Sequence, residues 1–181
     1  MNNACAVCLI VAVLILSARA ISPIAMGPIA MSEQSDTAAE IAPPATVVEA
    51  RARAILLHET IEGALQVMHR DFFDEEDSRM IPSASLEDVF EELSRQFNVK
   101  ARWLIVETDV VNVDHEPQDK FEHDAVGALA SGKLRHDATE DNLYRYAGAI
   151  KLHSQCLKCH VKQRTSTEER TAGLLLSMPM P

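Results

Sequence analysis

Near its C-terminus the chain reads Ser154-Gln155-Cys156-Leu157-Lys158-Cys159-His160. Two thiols at this spacing, with an imidazole directly after the second, form the attachment signature of a c-type haem. The sulfurs are spaced to reach the two vinyl groups of one porphyrin, and His160 is held against the iron as the proximal ligand. Of all the features in the chain this one constrains the fold most. The apolar faces of such a ring need side chains supplied from elsewhere in the sequence. Competing readings of the two cysteines are half a zinc site, a redox pair or two core residues. A zinc site needs two more ligands, and the chain has no His-x3–5-His pair.

The 181 residues fit one domain with appendages. Aromatic residues make up only 4%, which argues against stacking of bases on aromatic platforms. The net charge of −10 repels nucleic acid and anionic lipid, so no nucleic-acid partner is expected. An acidic surface either serves plain solubility or steers a basic partner, such as a positively charged electron carrier.

Residues 1–20 read as a secretory signal peptide: an apolar run over 4–16, then Ala18-x-Ala20 for cleavage. The run is too short to span a bilayer with ease, so no stable membrane span is expected after cleavage. Met1-Asn2-Asn3 carries no cation, which leaves an uncleaved anchor as the alternative. Cleavage removes Cys5 and Cys8, so the mature chain keeps only the haem cysteines. Export to the periplasm or beyond agrees with haem c. Residues 21–45, punctuated by Pro23, Pro28, Pro43 and Pro44, read as a flexible linker. The folded domain is then 46–181.

Within it, Leu57, Ile61, Leu65, Met68 and Phe72 recur at steps of three or four and predict a long helix over 46–73, ended by the acidic run 74–77. Pro82 is expected in the following loop. Ser85, with an acid three residues on, predicts the N-cap of a second helix, with Val89, Phe90, Leu93 and Phe97 buried and Asn98 as its C-terminal cap. Alternation predicts a strand over 101–108, with a short second one at 110–113. Pro117 is expected to open a helix through Ala130, stopped by Gly132, with Phe121, Ala125, Ala128 and Leu129 inward. Runs 133–138 and 143–152, joined by Thr139-Glu140-Asp141-Asn142, predict a hairpin. Residues 172–178 predict a last apolar strand. The order is that of an α+β fold with a small antiparallel sheet.

Three stretches together resemble a bacterial domain-of-unknown-function family of single-haem c-type proteins with a PAS-like fold. They are Tyr144-Arg145-Tyr146-Ala147-Gly148-Ala149-Ile150 feeding the haem motif, Pro117-Gln118-Asp119-Lys120-Phe121-Glu122, and Ala64-Leu65-Gln66-Val67-Met68. The resemblance covers about residues 50–178. It implies a PAS-like domain, covalent haem c, and a distal ligand from the N-terminal helix. It also implies use as an exported cytochrome or as the sensing ectodomain of a signalling protein. Some members of that family offer Cys from the helix; here that position is Met68, with His69 beside it. Val161 stands where many members have Gly.

The candidate haem contacts are therefore Cys156 and Cys159 (covalent), His160 (proximal), and Met68 or His69 (distal). Met68 in an apolar stripe also reads as core filler, and His69 as a solvent-facing residue. His58, His115, His123 and His136 read as ordinary surface histidines, and His153 as tethered away from the iron. Arg145, Lys151, Lys158 and Arg164 are candidates for the haem propionates. Tyr144 and Tyr146 read as haem packing or core. One-electron transfer with a redox partner protein is the expected function, and a homodimer is left open. The alternative is a redox or gas sensor acting through a partner. No output segment for signalling and no catalytic constellation stands out, so an enzyme is not expected.

Overall fold

The computed structural model describes residues 41–72, 81–154 and 156–181. The expected signal peptide, all but the last residues of the expected linker, and the acidic run 74–77 lie outside them. Helix α1 spans Val47–Asp71, with Thr46 capping it by accepting a hydrogen bond from Glu49 N–H at 3.2 Å. Helix α2 spans Pro82–Phe97. Strand β1 (Lys100–Leu104) is followed by a 3-10 turn at Val113–His115 and by helix α3 (Lys120–Ala130). Strands β2 (Arg135–Glu140) and β3 (Leu143–Leu152) lead to a single helical turn, α4 (Leu157–His160), and to strand β4 (Arg170–Pro179).

The four strands form one antiparallel sheet in the order β1-β4-β3-β2. This is the α+β architecture with a small sheet and a long N-terminal helix that the sequence predicts. Alternation along the two central strands sends side chains to two apolar layers. Tyr144, Tyr146, Ile150, Leu174, Leu176 and Met178 join α1 and α2 in one layer. Ala147, Ala149 and Leu175 join Phe121, Ala125 and Leu129 of α3 in the other. Both faces of β3 and β4 are thus covered, which is why these strands are almost continuously apolar. An ion pair between Arg51 and Asp137, at 2.7 Å, ties α1 to the β2 edge.

Turn chemistry sets the element boundaries. β2 and β3 are joined by Asp141 and Asn142, both in the left-handed region (φ 48° and 59°), as the tight turn of a twisted hairpin requires. Asn98 (φ 54°) closes α2, its N–H donating to the carbonyls of Leu93 and Ser94.

Several sequence expectations need correction. Pro82 is not in a loop but is the first residue of α2, where its missing N–H costs nothing. Ser85 therefore lies inside the helix instead of capping it. Val89 and Phe97 are exposed, and Leu86 and Phe90 carry the buried face. The helix expected from Pro117 starts at Lys120, because the Asp119 carboxylate caps it by accepting from Glu122 N–H at 3.0 Å. The strand expected over 101–108 ends at Leu104: beyond it, Ile105 N–H turns to the His115 carbonyl. No strand forms at 110–113; Asn112 caps the 3-10 turn instead. On α1 the buried line is Ala50, Ala54, His58, Ile61 and Leu65, while Phe72 is exposed.

Candidate functional site

The haem motif folds as one helical turn. Val161 N–H donates to the Leu157 carbonyl (3.0 Å) and His160 N–H to that of Cys156 (3.2 Å). A four-residue step on a helix brings Cys156 and His160 to one side. Leu157, 1% exposed, pins the turn into the main apolar layer. Residues 105–112 strap it from outside. Asp109 N–H donates to the His160 carbonyl (2.9 Å), and the Asp109 carboxylate accepts from Lys162 N–H (2.8 Å). Glu107 exchanges a pair of hydrogen bonds with Thr171, each 2.9 Å. This is why Glu107 and Asp109 interrupt an otherwise apolar run: Glu107 fastens the strap to β4, and Asp109 fastens it to the 156–160 turn.

Cys156 and His160 open onto a cleft whose apolar wall includes Leu65, Trp103, Ile150 and Leu152. His69, from the last turn of α1, lines the same cleft. The empty space in it, counting the mouth open to solvent, is about 760 Å³. Cys159 is exposed and Cys156 half-buried, and both thiols are free. Burial raises the Cys156 pKa, keeping it a neutral thiol. The His160 pKa is lowered, first by burial and then by the charge of nearby His69. A neutral imidazole with an available lone pair is the form that binds a metal.

His69 Nδ1 lies 3.0 Å from the Leu65 carbonyl. A carbonyl only accepts, so Nδ1 carries the hydrogen, which leaves Nε2 as the ring nitrogen for a metal. Metal-ligating histidines are oriented by this kind of bond. Met68 is not part of the cleft lining and packs instead against the main apolar layer. Of the two distal candidates, only His69 is brought to the motif.

Arg145 is placed elsewhere. Its guanidinium bonds the carboxylates of Asp119 (2.7 Å) and Glu122 (3.0 Å) and lies 4.4 Å from the centre of the Phe121 ring, all on the α3 side. Strand alternation forces this, since Tyr144 and Tyr146 face α1. Tyr146 is buried against the ring of His58 (centroids 5.8 Å apart), outside the cleft lining, and burial pushes its phenol up to about 12. Tyr146 is thus core and Arg145 an anchor of α3. Lys158 and Arg164 are exposed. His153 is exposed and paired with Glu169 at 2.7 Å. His58, expected at the surface, is 3% exposed. His115 lines the cleft and is held by Glu87 (3.0 Å) and Asn112 (3.2 Å). Sequence spacing had no means of finding His115 or Gln66, which reach the cleft from distant elements. The one available signal for His58 was its place four residues after Ala54 and three before Ile61.

The fold and the cleft define an α+β protein with one free thiol, that of Cys156, and three imidazoles, those of His69, His115 and His160, lining a cleft against its sheet. The model of the Tll0287-like family matches residues 44–174, and the chain belongs to that family. The cyanobacterial haem protein Tll0287 has a similar crystal structure, with a TM-score of 0.58 and 12% sequence identity over 75% of this chain and 97% of that one. No curated protein matches the chain. Among the described residues no helix is long and apolar enough to cross a membrane.

Proposed function

We propose that this chain is an exported single-haem c-type protein with a PAS-like domain that carries one electron at a time. Cys156 and Cys159 form the thioethers, His160 is the proximal ligand and His69 the distal one. The observation that carries this reading is the convergence of Cys156, His160 and His69 on one apolar cleft that Met68 does not reach. The donor set suits haem iron. When bound, the haem supplies a one-electron couple whose potential depends on the axial pair and on burial. Leu65, Trp103, Ile150 and Leu152 exclude water from the ring, and the Leu65 carbonyl holds His69 in one tautomer. Two protein ligands leave no coordination position for a substrate, which favours electron transfer over catalysis or gas sensing. The membership in the Tll0287-like family and the likeness to a haem protein support haem binding. The partner is a redox protein, with the acidic surface favouring a basic one.

Absorption spectra test the assignment. His69→Ala should convert the reduced low-spin spectrum to high-spin and admit carbon monoxide, whereas Met68→Ala should leave both unchanged. A charge-transfer band at roughly 695 nm in the oxidised wild type would assign Met68 instead. Ready carbon monoxide binding by the wild type would favour the sensing alternative.

A further inference from the structure

Away from the cleft, α1 carries a second group of ligand atoms. His58 is on the sheet-facing side of α1 and 3% exposed, and neither ring nitrogen has a hydrogen-bond partner among the described residues. An imidazole buried in this way forfeits hydration on both nitrogens with no protein hydrogen bond in return. Its Nδ1 lies 3.6 Å from a carboxylate oxygen of Glu59. Glu62, four residues on, shares the same side of the helix. One ligand atom from each of His58, Glu59 and Glu62 falls within 4.8 Å of the others. The ring also has a prepared place: a Cβ on Gly148 would come within 2.5 Å of His58 Nε2, so β3 gives up a side chain where the imidazole lies.

We propose that His58, Glu59 and Glu62 bind a divalent first-row transition cation of the Zn²⁺ class, with His58 Nδ1 and one oxygen from each carboxylate as protein ligands. Imidazole nitrogen suits zinc and its neighbours, and calcium and magnesium favour oxygen ligands. Bonds of 2.0–2.2 Å require the carboxylates to close by roughly 1 Å. Glu59, whose side chain is 70% exposed, has the freedom to do so and leaves the ion a path from solvent. Water completes the shell. None of the three residues lines the haem cleft, and the site is two to three helical turns from His69, about 10–16 Å along the axis.

The test uses the haem-loaded protein, stripped with EDTA and titrated with Zn²⁺ against a chromophoric chelator. One ion should bind per chain, with no change in the haem spectrum. Glu62→Gln, a half-buried position not needed for the core, should weaken binding roughly tenfold or more, since even outer partners of a metal ligand contribute that much. His58→Asn should abolish it. The proposal is overturned if the wild type takes up no stoichiometric zinc, or if Glu62→Gln and Glu59→Gln both bind as the wild type does.

Discussion

Gly148 shows how one residue can decide a neighbourhood. A Cβ there would meet His58 Nε2 at 2.5 Å and a Tyr146 ring carbon at 2.8 Å. Neither ring has room to retreat, because both are at least nine-tenths buried. Gly148→Ala should therefore destabilise the fold by about 1–3 kcal/mol, as overpacking does. In urea, the unfolding midpoint should fall at constant slope. Combining it with His58→Ala should recover part of the loss, because the two changes share one volume. An unchanged midpoint for Gly148→Ala would show that the ring is not confined there. Arg145 makes the complementary point: a cation one residue from Tyr144 and Tyr146 is committed to the far side of the sheet by strand geometry alone.

Among the elements, those governed by a local rule could be read from the sequence. Asn98 as a C-terminal cap, the hairpin before the haem motif, the inward face of α3 and the last apolar strand each follow from neighbouring residues. The turn expected over 139–142 narrows to Asp141 and Asn142 because β2 runs to Glu140. Where two local signals competed, the choice required tertiary contacts. Pro82 at the first helical position prevailed over the cap signature at Ser85. The alternation over 105–108 disguised a strap, because a carboxylate bonding Thr171 N–H looks in sequence like an outward strand position. The buried line of α1 was partly hidden because it includes Ala50, Ala54 and a histidine, which an apolar-stripe reading discounts. The one-turn helix α4 buries a single side chain, Leu157. Leu157→Ala removes a side chain only 1% exposed and should lower stability by about 2–5 kcal/mol. If α4 positions the haem thiols, the yield of covalently loaded protein should fall with it. Full loading in a destabilised variant would mean that the turn is positioned by the 105–112 strap alone.

At the scale of the molecule, one long helix and one sheet divide the work. α1 lies across β3 and β4 and ends with His69 at the cleft, while β3 leads directly into the Cys156–His160 turn. The distal and proximal candidates thus come from opposite ends of the folded domain's sequence, and only the packing of α1 on the sheet brings them together. The net charge of −10 over the whole sequence suits a basic electron carrier, as proposed. The central claim is that Cys156 and Cys159 hold a haem covalently at that cleft. Acid–acetone extraction of protein matured in a host that attaches haem c tests it most directly. The colour should stay with the wild-type polypeptide and leave with the solvent for the variant carrying Cys156→Ala and Cys159→Ala. A wild-type protein that releases its haem to the solvent would contradict the account.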